Sequence, residues 1–446
     1  MDTDDPEFDH HSRFHAEHWR EVFQSAREGG CPVLHSSSYG GYDVLTRHAD
    51  VLAASNDWKH FSSERSWSAD GSDDGLGTAI PPRIMRVGFL DMDPPRSLAF
   101  RRCVNRWFTR GSINRGKDRI TEIADWAIDQ VIERGGCDLV SELATPFQRT
   151  VLFDLLGLPA DQWRADTDQI ISEFRSENEA AHDRTASDAR AERAAFYGWV
   201  SPRALEEVLH HRAHGGPGMI ADLVRAEVNG ELIDPETCAE LVTMIIGGGE
   251  ETTVAAIVTM LRFLAENPEE KQRLLNDHDL LPTAVDEIIR FTTPAMGNAR
   301  TVTEPCEISG TSFEPGDRVL LAYASANYDT AVFGDPEVVR LDRNPNPHLA
   351  FGAGVHRCIG AIFAQVNIEC LVMRFIERIS QFHVIAGRIR PAYEEIGKIN
   401  SYYSLPVEFP PGRRLGPLSA APVLTRQRIR PNISAISESN ASLSRS

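Results

Sequence analysis

Apolar residues recur at helical spacing through most of the chain. In 14–28, Phe14, Trp19 and Phe23 stand among charged residues, which predicts an amphipathic helix ended by Gly29-Gly30. Residues 42–46 (YDVLT) read as a short strand. Residues 62–92 are rich in Ser, Gly and Pro and show little periodicity; irregular stretches of that length are usually functional or disordered. Helical periodicity returns over 97–108, 117–134, 138–156 and 160–213. A longer run, 235–266, starts at an Asp-Pro and stops at an Asn-Pro, and another, 282–292, follows Pro282. Over 299–321 the pattern changes to short β-type runs punctuated by Gly310 and Gly316, which predict a hairpin. Residues 333–357 are rich in Pro, Gly and Asn, and a helix is predicted over 361–379. The Ser-rich stretch 417–446 predicts a disordered tail. Length alone permits two or three domains or one large α-rich one. No internal repeat is evident and no linker divides 1–410, so the pattern favours one mainly α domain over 1–416.

Composition excludes more than it specifies. With 446 residues, 41% hydrophobic and 25% charged, the chain is neither collagen-like, mucin-like nor wholly disordered. Its net charge of −19 repels phosphate backbones, so nucleic acid is not an expected partner. The charge is uneven, however. Residues 96–119 carry Arg96, Arg101, Arg102, Arg106, Arg110, Arg115, Lys117 and Arg119 against Asp118 alone. Arg102, Arg106 and Arg110 are four apart, which predicts a shared helical face. A solvated face and a docking patch for an acidic protein explain such a run equally well. Seven irregularly spaced cysteines do not make a disulfide framework and suit a reducing cytoplasm. Residues 1–30 contain no apolar run, so neither a signal peptide nor a membrane anchor is expected there. The sequons at Asn432 and Asn440 carry little weight without secretion. His10, His11, His15 and His18 lie in an acidic stretch that reads as a frayed terminus rather than a metal cluster.

The residues that suggest chemistry begin with 351–360, FGAGVHRCIG. One cysteine, Cys358, sits in a glycine-rich loop directly before a helical run. Helix N-termini and nearby cations favour thiolate, the form that ligates metal, and glycines permit positive φ and close approach. A lone cysteine cannot build a zinc site, but it can serve as the single thiolate ligand of a haem iron; an inert buried cysteine is the alternative. Glu287-Ile-Ile-Arg290 taken alone reads as a helical surface pair. Gly247-Gly248-Gly249-Glu250-Glu251-Thr252-Thr253 places three glycines inside a strong helical pattern. Each costs about 0.8–1 kcal/mol relative to Ala, so either the helix ends there or something packs against bare backbone. Because the apolar pattern resumes at once, a continuing helix is the expectation.

The pattern F-x-x-G-x-H-x-C-x-G resembles the haem-binding signature of the cytochromes P-450, the haem-thiolate monooxygenases. E-x-x-R and the G-G-x-E-T segment agree with that family in order and spacing, and the resemblance covers about 14–410. It implies a large helical domain with small β-sheets enclosing haem b between two helices. It makes Cys358 the axial iron ligand, with Phe351 and Gly360 part of the cofactor loop, and leaves the other six cysteines structural. Arg101, Arg300 and His356 would meet the haem propionates. Glu287 and Arg290 would be buried with Arg343 as a structural lock. Gly248 and Gly249 would leave room at the oxygen-binding face. Thr252 and Glu251 would form the catalytic alcohol–acid pair, and Glu250, which the family pattern does not require, is expected to face solvent. Two positions depart from the family. Ser97 stands where a propionate-binding His is common, with Arg96 as a candidate substitute, and Tyr328 stands where an arginine is usual.

The activity so implied is insertion of one oxygen atom from dioxygen into a lipophilic small molecule, by hydroxylation or epoxidation, with a terpenoid, polyketide or other natural product as substrate. Substrate-lining candidates are Ile84, Met85, Val87, Phe89, Ile245, Ala295 and Met296, and an arginine of the loop (Arg83 or Arg86) could bind a substrate carboxylate or stay solvated. Electrons would come from a ferredoxin and its NAD(P)H-dependent reductase, docking on the basic stretch near the cysteine. The expectation is a cytoplasmic monomer with no membrane partner. A peroxide-driven peroxygenase and a non-enzymatic haem sensor are the alternatives. The presence of both Glu251 and Thr252 argues against the first, and the lack of a visible signalling or DNA-binding region against the second.

Overall fold

The computed structural model describes residues 8–29, 32–64, 77–81, 86–159, 161–163, 165–167, 186–391 and 400–416. The expected tail 417–446 and the pocket candidates Ile84 and Met85 lie outside the described residues, as does Arg83.

Helix α1 (Arg13–Glu28) starts where the Ser12 side chain accepts a hydrogen bond from His15 N, and it buries Trp19 and Phe23. The terminus before it is docked, not frayed. His10 and His15 are buried. His10 Nδ1 lies 2.5 Å from the Tyr42 hydroxyl, and the Nε2 atoms of His10 and His11 lie 3.0 and 2.7 Å from Ile80 O. No cluster of three potential metal ligands occurs among the described residues.

Strands β1 (Val33–Ser36) and β2 (Tyr42–Leu45) form a hairpin, followed by α2 (His48–Asn56) and β3 (Phe61–Ser62). The predicted hairpin over 299–321 forms as β7 (Asn298–Val302) against β10 (Arg318–Leu321), antiparallel. Between them lies a tighter hairpin, β8 (Cys306–Ile308) and β9 (Thr311–Phe313), turning at Ser309 and Gly310, both with positive φ. The five-stranded sheet has the order β1-β2-β10-β7-β3, with β2 and β10 parallel. Residues from the first and last thirds of the chain thus share one sheet.

The helical body differs from the sequence pattern in three places. The run 97–108 becomes α3 (Arg96–Asn105) and a 3-10 turn, and α4 (Arg110–Arg115) starts anew at the Thr109 cap. Arg102, Arg106 and Arg110 therefore do not share one helical face. The run 138–156 starts as strand β4 (Gly136–Asp138), passes through a π-turn that Asp138 caps, and becomes α6 (Thr145–Leu156) only at Pro146. The run 235–266 divides at Glu250 into α9 (Pro235–Gly249) and α10 (Glu251–Glu266).

The remaining described α-helices are α5 (Lys117–Asp129), α7 (Ala186–His214), α8 (Gly218–Leu223), α11 (Pro268–Asn276), α12 (Leu281–Thr292), α13 (Tyr323–Ala326) and α14 (Ala361–Arg378). Helix α14 packs against α5, α10 and α12 at the centre of the main apolar cluster. The span Pro235–Glu266 is long and apolar enough to cross a membrane, but 72% of its apolar window is buried inside the protein, as suits a core helix.

Candidate active site

The Cys358 loop is shaped by its own backbone. Cys358 N donates to Phe351 O at 2.8 Å, closing the loop, and α14 begins three residues after the thiol. Gly352 and Gly354 have φ of +65° and +64°. A Cβ on Gly354 would stand 2.4 Å from Ser55 O, so only glycine lets the loop lie against the end of α2. The thiol is exposed.

Burial raises the Cys358 pKa, against the lowering expected from its place before a helix. The Gly360 N–H, Arg101 and Arg357 pull it down, but by less. Metal coordination deprotonates a thiol outright, so the loop supplies position and the metal supplies the charge state.

Two guanidiniums and an imidazole gather around this loop. Arg101 Nη2 donates to Arg357 O at 2.6 Å, and its guanidinium lies within electrostatic reach of Cys358 and 5.8 Å from the Phe89 ring. Arg300, on β7, is buried and donates to Ala299 O at 2.7 Å. The His356 pKa is lowered chiefly by burial, with Arg300 and Arg101 adding to the effect and Asp93 opposing it. His356 Nε2 stands 3.9 Å from Asp93 Oδ1, beyond hydrogen-bond reach, and is buried without a hydrogen-bond partner among the described residues.

Ser97 is also buried, and its hydroxyl has no hydrogen-bond partner among the described residues. Arg96 is exposed and approaches Glu64 at 3.9 Å, so it does not replace the missing histidine. Two guanidiniums beside an orphaned buried ring nitrogen suit an anion that can accept from them. A lone thiol, with no cluster of three potential ligands among the described residues, suits a metal that brings its own equatorial ligands. Haem, an iron macrocycle carrying carboxylates, fits both requirements.

At the division between α9 and α10, Gly248 faces open space, as expected, whereas Gly249 does not. A Cβ there would strike Leu152 Cδ2 at 2.8 Å, so Gly249 serves the approach of α6. Thr252 Oγ1 donates to Gly248 O at 3.0 Å, and Glu251 is exposed. Glu250 contradicts its solvent-facing expectation. It is buried, and its Oε1 accepts from Arg149 Nε and Nη2, each at 2.8 Å. Arg149 lies 101 residues upstream, and nothing in the local sequence announces the pairing.

The buried lock is in place. Arg290 Nε and Nη2 reach Glu287 Oε2 and Oε1 at 2.8 and 2.9 Å, and Arg343 Nε lies 2.9 Å from both oxygens. The Arg340 N–H adds a bond at 3.0 Å. Tyr328 stacks into the same region. Its hydroxyl donates to Phe291 O at 2.7 Å and accepts from Arg20 Nη2 at 3.0 Å, so α1 supplies a guanidinium beside a tyrosine that stands where an arginine is usual.

Of the substrate candidates, Val87, Phe89 and Ile245 share one apolar cluster, where Gly88 lies against Leu241 and Met244 of α9. Ala295 is half-buried. Met296 does not join them; it packs with Trp19, Phe23, Tyr42 and Ile80 in a second cluster. Arg86 is not solvated, since it pairs with Glu240 at 3.0 Å.

The family profile described as cytochrome P-450 matches residues 206–399. A steroid C26-monooxygenase of Mycolicibacterium smegmatis is 31% identical over 83% of this chain and 88% of its own length. Nocardicin C N-oxygenase of Nocardia uniformis is 34% identical over 74% of this chain and 81% of its own. Among solved structures, a cytochrome P-450 of Bacillus subtilis aligns with a TM-score of 0.73 at 26% identity, covering 88% of this chain and all of that one. With the fold, the thiol loop and these likenesses together, the chain belongs to the cytochrome P-450 family of haem-dependent monooxygenases.

Proposed function

We propose that Cys358 holds a haem whose carboxylates Arg101, Arg300 and His356 receive, and that the chain transfers one oxygen atom of dioxygen to a lipophilic small molecule by hydroxylation or epoxidation. The observation that carries this reading is the single thiol beside Arg101, with Arg300 near the orphaned buried Nε2 of His356. Bound haem supplies the redox-active iron at which dioxygen is reduced and cleaved.

The chain's own residues do the rest. Cys358 would hold the iron as thiolate, the ligand form that supplies electron density to it. The bare backbone of Gly248 leaves space for a small ligand. Thr252, held on Gly248 O, would present a hydroxyl to a small ligand or water, and exposed Glu251 would take protons from solvent for delivery inward. Val87, Phe89, Ile245 and Ala295 offer the apolar lining that suits a terpenoid, polyketide or comparable natural product. The two relatives' names specify a steroid and a nocardicin, which differ in chemistry, so neither substrate carries over. Glu287, Arg290 and Arg343 hold the segment before the cysteine loop.

Electrons reach the site from an acidic ferredoxin served by an NAD(P)H-dependent reductase. Arg102, Arg110 and Arg357 are exposed and make no ion pair among the described residues, which suits docking of an acidic protein. Arg106 pairs with Asp222, Lys117 with Glu369, and Arg119 with Glu122 and Asp154, so those cations are already engaged. The chain acts as a cytoplasmic monomer.

The test is the absorption spectrum of dithionite-reduced protein under carbon monoxide. A strongly red-shifted Soret band, lost in Cys358→Ser, is expected. No haem, or a band typical of a histidine ligand, overturns the assignment.

A further inference from the structure

Two consecutive residues of α6 grip two consecutive residues at the division of the distal helix. Gln148 Nε2 donates to Gly249 O at 2.7 Å, and Arg149 pairs with Glu250. One turn further along α6, Leu152 fills the space that a Cβ on Gly249 would need. Behind Gln148, its Oε1 accepts from Asn367 Nδ2 at 3.1 Å, and Asn367 lies on α14, nine residues past Cys358. All four polar side chains are buried. A connected series therefore runs from the helix that follows the thiol, through α6, to the residue just before Glu251.

Stability is a poor explanation for the Arg149–Glu250 pair. Apolar residues of similar volume commonly replace a buried ion pair without loss. Here the pair is not even complete, since Glu250 Oε2 is buried with no hydrogen-bond partner among the described residues. What the contacts do fix is where the helix divides. Glu250 adopts φ −89° and ψ −75°, and the carbonyls on either side of Gly249 N are each taken by a side-chain donor: Gly248 O by Thr252, Gly249 O by Gln148. The two held carbonyls are successive, so the contact from α6 ends one residue from the carbonyl on which the Thr252 hydroxyl rests.

We propose that Gln148, Arg149 and Glu250 form a clamp that positions Thr252 and Glu251 for proton delivery. This rests on the roles given to those two residues under the proposed function. The three are positioning residues, because they touch neither the cofactor loop nor the reacting atoms. Glu250 fills the open position of the G-G-x-E-T segment, and Arg149 lies outside it.

The test uses dithionite-reduced holoprotein under carbon monoxide and reads the infrared C–O stretch, which reports polarity and order at the distal face. Wild type gives the reference band. The double variant Arg149→Met/Glu250→Leu removes both charges at similar volume. Its band is expected to shift or split by more than the wild-type linewidth, while its thermal midpoint stays within a few degrees of wild type. A band superimposable on wild type overturns the clamp. Where the double variant does not fold, Gln148→Glu decides by the same criterion, since it loses the donor to Gly249 O and keeps the acceptor for Asn367. Absence of the red-shifted Soret band in wild type would instead overturn the functional reading.

Discussion

Gly354 shows how much a single position holds. Its φ of +64° and the 2.4 Å that would separate an added Cβ from Ser55 O exclude every side chain. Gly354→Ala should lose about 3 kcal/mol or more through backbone strain and overpacking. The loss is to be measured by urea unfolding, with haem retention falling in parallel. Glu287→Gln tests the buried lock, since it leaves two guanidiniums without their shared negative charge. Disrupting such a group by changing one partner costs about 3–5 kcal/mol, and thermal unfolding of the purified variant checks it. An unchanged midpoint would show that the surrounding carbonyls suffice. Cys358 was legible in the sequence because it belongs to a contiguous motif. The burial of Glu287 with Arg290 came from the resemblance, since the motif taken alone reads as a surface pair. Glu250 was not legible, because its meaning depends on Arg149, and a pairing across 101 residues leaves no local trace. The direction of the Cys358 shift was misread for a related reason. Charges near a thiol can be seen in sequence, but the burial that outweighs them cannot.

At the scale of the element, α1 and the segment before it make stability depend on pH. Burial, with the charge of His11 adding, lowers the His15 pKa to about 3. Unfolded, the side chain titrates near 6.5. Between those values the unfolded chain binds the extra proton, so the contribution is complete above pH 6.5 and is lost as pH falls toward 3. The slope is at most about 1.4 kcal/mol per pH unit. His15→Leu should flatten that acid limb in urea unfolding at pH 7 and 4.5; parallel limbs would remove His15 as the cause. The start of α9 was legible because Asp234 and Pro235 mark it in the sequence. Boundaries were misread where tertiary contacts decide. The division at Glu250 is held by α6, and the restart at Thr109 gives α3 and α4 separate faces although the arginine spacing looks continuous.

Across the whole molecule, a net charge of −19 coexists with a basic surface around α3 and α4. Arg102→Glu and Arg110→Glu should each slow reduction by an acidic ferredoxin severalfold at low salt, with the difference shrinking as ionic strength rises. Stopped-flow reduction under carbon monoxide reads this, and dithionite reduction of the same variants should be unchanged. Equal ferredoxin rates would move the docking surface elsewhere. The five-stranded sheet has a different consequence. β2 pairs with β10, the His48 N–H binds Asp329, and the end of α2 supports the loop at Gly354. During synthesis, the first sixty or so residues therefore leave the ribosome long before their partners exist. The β1–β2 hairpin can form at once, but its β2 edge must wait until the last third of the chain emerges, and such long-range closures are the slow ones. Chaperone demand on the nascent chain should accordingly concentrate on its N-terminal hairpin and be relieved only once residues beyond about 354 have emerged.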